Sequence, residues 1–341
     1  MTRAAPPLIA ALAALTIAPP LRAKEPAAGE VRRFAHGSHI YQVAVSPDGK
    51  LVATDDQVWE VATGKKVATL PLPARERRSY TRFRVAFSPD SRHVAVHRYY
   101  DLVLAEAATG KEVWRAELPP RGNTYEDTPG VAFTPDGKLL LAARNDEGLV
   151  RVFDTATGKE VRQFPYETKV GGLMGAAVKS FGVSADGKRV VIHSSTGGHL
   201  GGPAVFDVET GKELQRHRVS SVEAWVYHSA PTPDGRQSAY GRKNAVHLLD
   251  LETGKEVRRF DGAGRHVYRV AVSPDGKLIA AAMAEADRDE ARVECWEVAT
   301  GKRVRVVTGH KGVNDLAFTP DGKHLVTAGP DGTARLWRLT D

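Results

Sequence analysis

The sequence predicts an all-β chain of seven four-stranded antiparallel units, and two recurring turns carry that prediction. The first turn reads Ser46-Pro47-Asp48-Gly49-Lys50. It returns with its acid at Asp90, Asp136, Asp186, Asp234, Asp275 and Asp321, with Ser91 in place of Gly and Ala185 in place of Pro. Proline presets φ at the second position, Asp caps the turn, and Gly accepts the positive φ that follows. The second turn is Thr-Gly-Lys, at 63–65, 109–111, 157–159, 210–212, 253–255 and 300–302. Glycine in the left-handed region makes each a tight hairpin. Strand-like runs flank every turn, such as Val150 to Asp154 before one and Glu160 to Phe164 after it. Each unit therefore holds strands a to d, with the first turn joining a to b and the second joining c to d. Units of four strands, repeated seven times at steps of about 45 residues, have the period of a β-propeller.

The ends of the chain predict closure. Residues 30–341 are read as the propeller, and the last unit stops at Thr340-Asp341, where its c–d turn should begin. The missing d strand lies at the other end, because Gly29-Glu30-Val31-Arg32-Arg33-Phe34 echoes Gly254-Lys255-Glu256-Val257-Arg258-Arg259-Phe260. Residues 30–35 are expected to complete the seventh blade and leave no open edge. The seven a strands align well. Ala44, Ala86, Ala132, Gly182, Ala230, Ala271 and Ala317 are small, as the crowded axis requires. Two residues earlier, Gln42, Arg84, Gly130, Ser180, His228, Arg269 and Asp315 are expected to ring the channel mouth on the side away from the Pro-Asp-Gly turns.

The last unit, Gly309 to Asp341, is the most regular copy. It carries Gly309-His310, Thr327, Asp331-Gly332 and Trp337. By these residues the chain resembles the WD40-repeat propellers, as an exported WD40-repeat protein of bacterial type. The resemblance implies a buried network of His310, Thr327, Asp331 and Trp337. Other units depart from the pattern: Trp59 and Trp296 keep the aromatic, Phe153, Phe206 and Leu249 replace it, and Ala105 abandons it.

The N-terminus reads as a secretory signal peptide over residues 1–23, followed by a short spacer at 24–29. Arg3 precedes the apolar run Leu8 to Ala18, which is too short to span a bilayer, and Leu21-Arg22-Ala23 offers a cleavage site. Removing it takes away Arg3 and Arg22 and no acid, so the formal charge falls from +7 to +5. That mild charge and the expected export to the periplasm or beyond argue against nucleic acid as a partner. No membrane span is expected after cleavage, and a monomer is expected. Cys295 is the only cysteine, so no internal disulfide forms and a buried, inert thiol is expected.

The a–b and c–d turns share one face of the disc and are nearly uniform, whereas the d–a and b–c connections on the other face vary. Loops displayed on a rigid scaffold carry function, so the variable face is the better candidate. Its long loops are Pro71–Thr81, Leu118–Pro129, Pro165–Val178 and His193–Pro203. Blade 2 concentrates Arg75, Arg77, Arg78, Arg82, Arg84, Arg92 and Arg98, interleaved with Tyr80, Tyr99 and Tyr100. Arg and Tyr are favoured at interfaces. The candidate partner-binding set is therefore Arg77, Arg78, Tyr80, Arg82, Arg84, Arg98, Tyr99 and Tyr100, with His228 and Arg269 at the channel. The expected partner is an acidic protein surface or an anionic glycan. The alternative for the blade 2 loop is a solvated basic segment.

Nothing in the sequence reads as catalytic, and no cofactor or metal is expected. His193 and His199 lack a third ligand, and the Gly-rich loops near them precede no helix. The segment Thr109-Gly110-Lys111-Glu112-Val113-Trp114 looks like the tryptophan-docking turn of quinoprotein propellers, but only one of six such turns carries the Trp. Trp225 and Tyr227 read as core residues. The expected function is a non-enzymatic protein-binding scaffold. A quinoprotein- or lactonase-like enzyme and an envelope glycan-binding module are the alternatives.

Overall fold

The computed structural model describes residues 29–71, 84–98, 100–118, 130–144, 148–166, 177–196, 199–217, 228–262, 266–284 and 291–339. They form seven four-stranded antiparallel blades. Blades 1 to 3 are β2–β5 (Val43–Val45, Leu51–Thr54, Gln57–Glu60, Lys66–Thr69), β6–β9 (Arg84–Phe87, His93–Arg98, Asp101–Glu106, Glu112–Glu117) and β10–β13 (Gly130–Phe133, Leu139–Arg144, Leu149–Asp154, Glu160–Pro165). Blades 4 to 6 are β14–β17 (Ala177–Val183, Arg189–Thr196, His199–Asp207, Glu213–Arg216), β18–β21 (Ser229–Pro231, Gln237–Arg242, Ala245–Asp250, Glu256–Asp261) and β22–β25 (His266–Val272, Leu278–Ala284, Ala291–Glu297, Arg303–His310). Blade 7 combines β26–β28 (Asp315–Phe318, His324–Ala328, Thr333–Arg338) with β1 (Glu30–Ala35). The innermost strands touch in succession, and β26 lies beside β2, so the ring closes.

The turns form as their chemistry dictates. In blade 1, Ser46 Oγ donates to Asp48 Oδ1 at 2.6 Å, Lys50 N donates to the same oxygen at 3.0 Å, and Leu51 N donates to Ser46 Oγ at 2.9 Å. The other six turns repeat the hydroxyl-to-carboxylate bond. Ser91, standing where the other turns have Gly, takes φ +62°. Its hydroxyl accepts the Asp48 amide of the neighbouring blade at 3.0 Å, which helps to offset the strain of that conformation.

The hydrophobic core is divided into seven slabs, one at each seam between blades. Phe34, Val43, Val52, Trp59, Val326 and Leu336 fill the seam between blades 7 and 1. The other seams are filled in the same way, and the blade 4–5 slab is the smallest, with Val191, Val205, Tyr240, Leu249 and Leu251. A Phe on the outer strand faces the aromatic of the next blade's third strand in three seams. These pairs are Phe34–Trp59, Phe164–Phe206 and Phe260–Trp296, with ring centroids 6.2, 5.7 and 6.1 Å apart.

Each outer strand bulges at its second residue, leaving Val31, Val67, Val113, Val161, Leu214, Val257 or Val304 unpaired and 40–52% exposed. In five of these strands the next residue reaches across the seam to a main-chain carbonyl in the following blade's c–d turn. Arg32 donates to Ala62 O at 2.6 Å, Trp114 to Thr155 O at 2.7 Å, Gln215 to Glu252 O at 3.0 Å and Arg258 to Ala299 O at 3.0 Å, and Arg162 donates to Glu209 O. Trp114 also covers Gly158, where a Cβ would sit 2.6 Å from its ring. The tryptophan-docking geometry is therefore real, and it is one instance of a clasp that Arg and Gln make elsewhere.

Closure follows the expected pairing. Glu30 lies opposite Trp337, Arg33 opposite Arg335 and Ala35 opposite Thr333. Phe34 is fully buried between the first and last blades. Phe34→Ala should therefore lower stability by about 3–5 kcal/mol through the cavity it leaves. A chain begun at residue 37 should unfold earlier still and self-associate through the bared edge of β28. Denaturant midpoints and light scattering check both, and a truncated chain that melts like the longer one would refute closure by β1.

Candidate functional site

The seven residues aligned on sequence as the channel mouth do meet: Gln42, Arg84, Gly130, Ser180, His228, Arg269 and Asp315 line one axial cavity of 390 Å³. Five of them stand at or next to the start of a first strand, and Ser180 and Arg269 are the fourth residues of the longer strands β14 and β22.

Several of these side chains latch one blade to the next. Gln42 Oε1 accepts the Val85 amide at 2.6 Å, His228 Nδ1 the Val270 amide at 3.4 Å, and Asp315 Oδ2 the Val43 amide at 3.0 Å. In each case the amide belongs to the residue after the next blade's own ring position. Ser180 Oγ meets Ser229 Oγ, and Arg269 Nε donates to Asn314 O. A side chain at Gly130 would run into Phe181.

The electrostatics are those of a confined cationic site. Arg269 Nε lies 3.9 Å from Asp315 Oδ1. Burial raises the pKa of the Asp315 carboxyl, and Arg269, the Val43 amide and Arg84 pull it back. Burial, then Arg269 and Arg84, hold His228 well below its ordinary value, so its imidazole is neutral and its Nδ1 can accept. Arg84 is buried, while Arg98 and Tyr100 sit half-buried at the tip of β7–β8. Arg77, Arg78, Tyr80, Arg82 and Tyr99 lie outside the described residues, as do residues 1–28, Trp225 and Tyr227.

The last blade assembles the network implied by the resemblance. Trp337 Nε1 donates to Thr327 Oγ1 at 2.7 Å, Thr327 Oγ1 meets His310 Nε2 at 2.8 Å, and His310 Nδ1 meets Asp331 Oδ2 at 3.2 Å. The hydroxyl has one proton and already accepts from Trp337, so it donates to Nε2 and leaves Nδ1–H for the carboxylate. Burial holds His310 below its usual value. Burial alone would raise the Asp331 pKa, but His310, Thr333 and Arg335 overcome it and hold the carboxyl well below its usual range. The sequence reading missed Arg335. Its Nη2 reaches Asp331 Oδ2 at 2.7 Å, its Nη1 bonds Gly309 O at 2.8 Å, and Nη1 also lies 3.6 Å from Glu30 Oε2 on the closing strand. Blade 1 keeps part of the same device: Trp59 Nε1 donates to Thr54 Oγ1 at 2.9 Å, and His36 Nε2 pairs with Asp56 Oδ1 at 2.8 Å. The adjacent Asp55 carboxylate accepts the Tyr41 and Gln42 amides, and burial pushes its pKa up to about 7.

His193 is buried in β15, and desolvation lowers its pKa to about 4. Among the described residues, no three His, Cys, Asp or Glu side chains converge as metal ligands, and no helix is long and apolar enough to cross a membrane. Cys295 is buried, and burial pushes its thiol up to about 12.

Fold and site define a seven-bladed propeller whose blades are latched around an axial polar cavity. The family model described as "Outer membrane protein assembly factor BamB" matches residues 42–307, and the model described as "WD domain, G-beta repeat" matches residues 301–338. The chain belongs to the propeller family of the first description, with a WD40 repeat as its last blade. It is 27% identical to WD repeat-containing protein 18 of Danio rerio over 154 residues, 44% of this chain and 34% of that protein. It is 29% identical to nuclear distribution protein PAC1 of Coccidioides posadasii over 158 residues, 40% of this chain and 32% of that protein. It is 35% identical to WD repeat-containing protein SL1-17 of Schistosoma mansoni over 139 residues, 40% and 44% of the two chains. The chain thus spans less than half the length of each of these relatives.

Removing the hydroxyl at the centre of the blade 7 network strands two buried partners. Thr327→Val and His310→Ala should each destabilise by about 1–3 kcal/mol. Both His310 and Asp331 bind protons more readily in the unfolded chain, so their contributions fade as pH falls. For His310 the loss begins near its ordinary value of 6.5, and for Asp331 it begins below 3.8. The gap in urea midpoint between wild type and His310→Ala should be widest above that first pH and should narrow on acidification. A gap independent of pH would show that His310 is not held neutral.

Proposed function

We propose that the protein is a non-enzymatic scaffold that is exported after removal of residues 1–23 and presents its variable-loop face to an acidic protein surface. One observation supports this above the rest: Arg84 and Arg269 line the axial cavity on the variable side. Arg98 ends β7 on that same side. The sequence extends this charge through Arg77, Arg78 and Arg82 and interleaves Tyr80, Tyr99 and Tyr100. The opposite face is occupied by its own turns, whose Asp and Thr side chains are spent on local hydrogen bonds. Cations held on a rigid ring focus the field and speed capture of an acidic partner. Exposed ion pairs contribute only about 0–1 kcal/mol each, so several arginines must act together with the tyrosines. The enzyme reading rests on the docked Trp114 and on the ring residues Arg84, His228, Arg269 and Asp315; the clasp shared with Arg32, Arg162 and Arg258 accounts for Trp114 without a cofactor.

Charge reversal separates the faces. The triple variant Arg77→Glu, Arg78→Glu and Arg98→Glu should stay folded and lose a salt-dependent partner in pull-downs from envelope extract. The matched variant Lys50→Glu, Lys138→Glu and Lys277→Glu on the uniform face should keep it. Equal losses would reduce the effect to net charge, and loss confined to the second variant would move the site to the other face.

A further inference from the structure

The seam between blades 4 and 5 differs from the other six in what fills it. Its slab holds five buried apolar residues, against eight to twelve buried residues in each of the others. Two buried polar atoms beside that slab have no hydrogen-bond partner among the described residues: His193 Nδ1 on β15 and Ser238 Oγ on β19. Ser238 stands two residues before Tyr240 on the same strand face, and His193 two residues beyond Val191. An unpaired buried polar group costs free energy that contact with water would return. The seam is tied at one end. Ala185 stands where the other six turns have proline, and its amide donates to Pro233 O at 2.7 Å. Gln215 and His217 bond Glu252 O and Leu251 O, in the c–d turn of blade 5, at 3.0 and 2.7 Å. Toward the b–c turns the described contacts are between side chains. Ser180 and Ser229 share a hydroxyl bond, the His193 and Tyr240 rings lie 6.2 Å apart at a tilt, and Tyr240 stacks on His247.

We propose that the ring parts at this seam, hinged at its Pro-Asp-Gly and c–d turns, and that acid drives the parting by placing a proton on His193. The device goes beyond the scaffold reading and does not depend on the partner. Ser180 and Ser229 line the axial cavity, so parting opens the wall of that cavity. The strands flanking β15 place Ser180 and Pro203 opposite His193. The titratable groups near it are Tyr240 and His228, with His247 and its partner Glu256 behind Tyr240, and with Arg84 and Arg269 bearing on His228. An imidazolium in the closed seam therefore has no counter-charge beside it, and desolvation lowers the His193 pKa to about 4. In the parted seam the ring meets water and titrates as an ordinary histidine. The closed state thus binds the proton less readily than the open one. Acid favours opening, from near the ordinary value of 6.5 downward, and the effect is complete near 4.

Thiol labelling of the whole chain with dithiodipyridine, a reagent that works in acid, tests it. Val191→Cys puts a reporter in the blade 4–5 slab. Cys295 reports on the blade 6–7 slab in the same molecule, and Val326→Cys on the closing seam. Each rate is divided by that of a short cysteine peptide at the same pH. One histidine moving from about 4 to 6.5 raises the opening constant about thirtyfold between pH 7.5 and pH 5.0. The Val191→Cys rate should rise by about that factor, while Cys295 and Val326→Cys stay within about twofold. His193→Phe keeps a ring against Tyr240 and cannot titrate, so it should abolish the rise, and His193→Gln is the second variant for the same test. The comparison of the three sites with His193 intact stands even if both substitutions fail to fold. An equal rise at all three sites, no rise at Val191→Cys, or a rise that persists without His193 would overturn the proposal.

Discussion

Closure is the constraint on which the rest depends. Seven wedges must return to the first within the tolerance of a hydrogen bond, and the strand that completes the circuit comes from the far end of the chain. Several residues of the echo between Gly29–Phe34 and Gly254–Phe260 have a mechanical task. Glu30 stands where Glu160 pairs with Arg151 at 2.8 Å and Glu256 bonds His247 at 2.7 Å; it pairs with Arg33 at 2.8 Å and lies 3.6 Å from Arg335. Blade 6 makes the same pair with its charges exchanged, Arg303 on the outer strand and Glu294 inside, at 3.1 Å. Val31 is the bulge, Arg32 the clasp, and Phe34 the ring set against the next blade. The last seam is thus built by the same rules as the others, which is why a non-covalent ring with a single thiol can close.

The seams divide the work between apolar slabs and polar bonds. Burial in the slabs supplies most of the stabilisation, because each fully buried aromatic or aliphatic side chain contributes about 1.5–3 kcal/mol. The clasps and latches contribute less but fix the angle between blades, since a buried amide without a partner would cost about 1–3 kcal/mol. The blade 4–5 seam is the exception. Its slab is small, and beside it Tyr240 stacks on His247 and meets His193 at a tilt, with the Ser180–Ser229 pair nearer the axis. Polar residues there replace hydrophobic depth beside the axial cavity.

What could be read in the sequence was whatever admits few residue types. Turns that need proline's φ or glycine's positive φ announced themselves, and so did the small residues near the axis and the polar ring two positions earlier. The His310–Asp331 network was legible through the resemblance to WD40 repeats, which implies these four residues at these positions. The clasps were not legible. Any long donor can reach a carbonyl across the seam, so arginine at Arg32 and Arg258, tryptophan at Trp114 and glutamine at Gln215 serve one geometry. Arg335 was missed because its partners Glu30 and Asp331 meet only when the ring is closed. The bulged aliphatics were visible in the Thr-Gly-Lys-x-Val pattern but carry no sign of a bulge, since valine is ordinary in a strand.

The same division explains where function can sit. A residue committed to a seam cannot change without loosening a blade, and on the uniform face the Asp, Ser and Thr side chains are spent on their own turns. The axial ring is different, because its seven positions share one backbone geometry yet hold Gln, Arg, Gly, Ser, His, Arg and Asp. Three of them serve the seams through acceptor atoms alone: Gln42, His228 and Asp315. The scaffold fixes the backbone at these positions and leaves the side chain to vary, which is where a rigid ring can acquire chemistry.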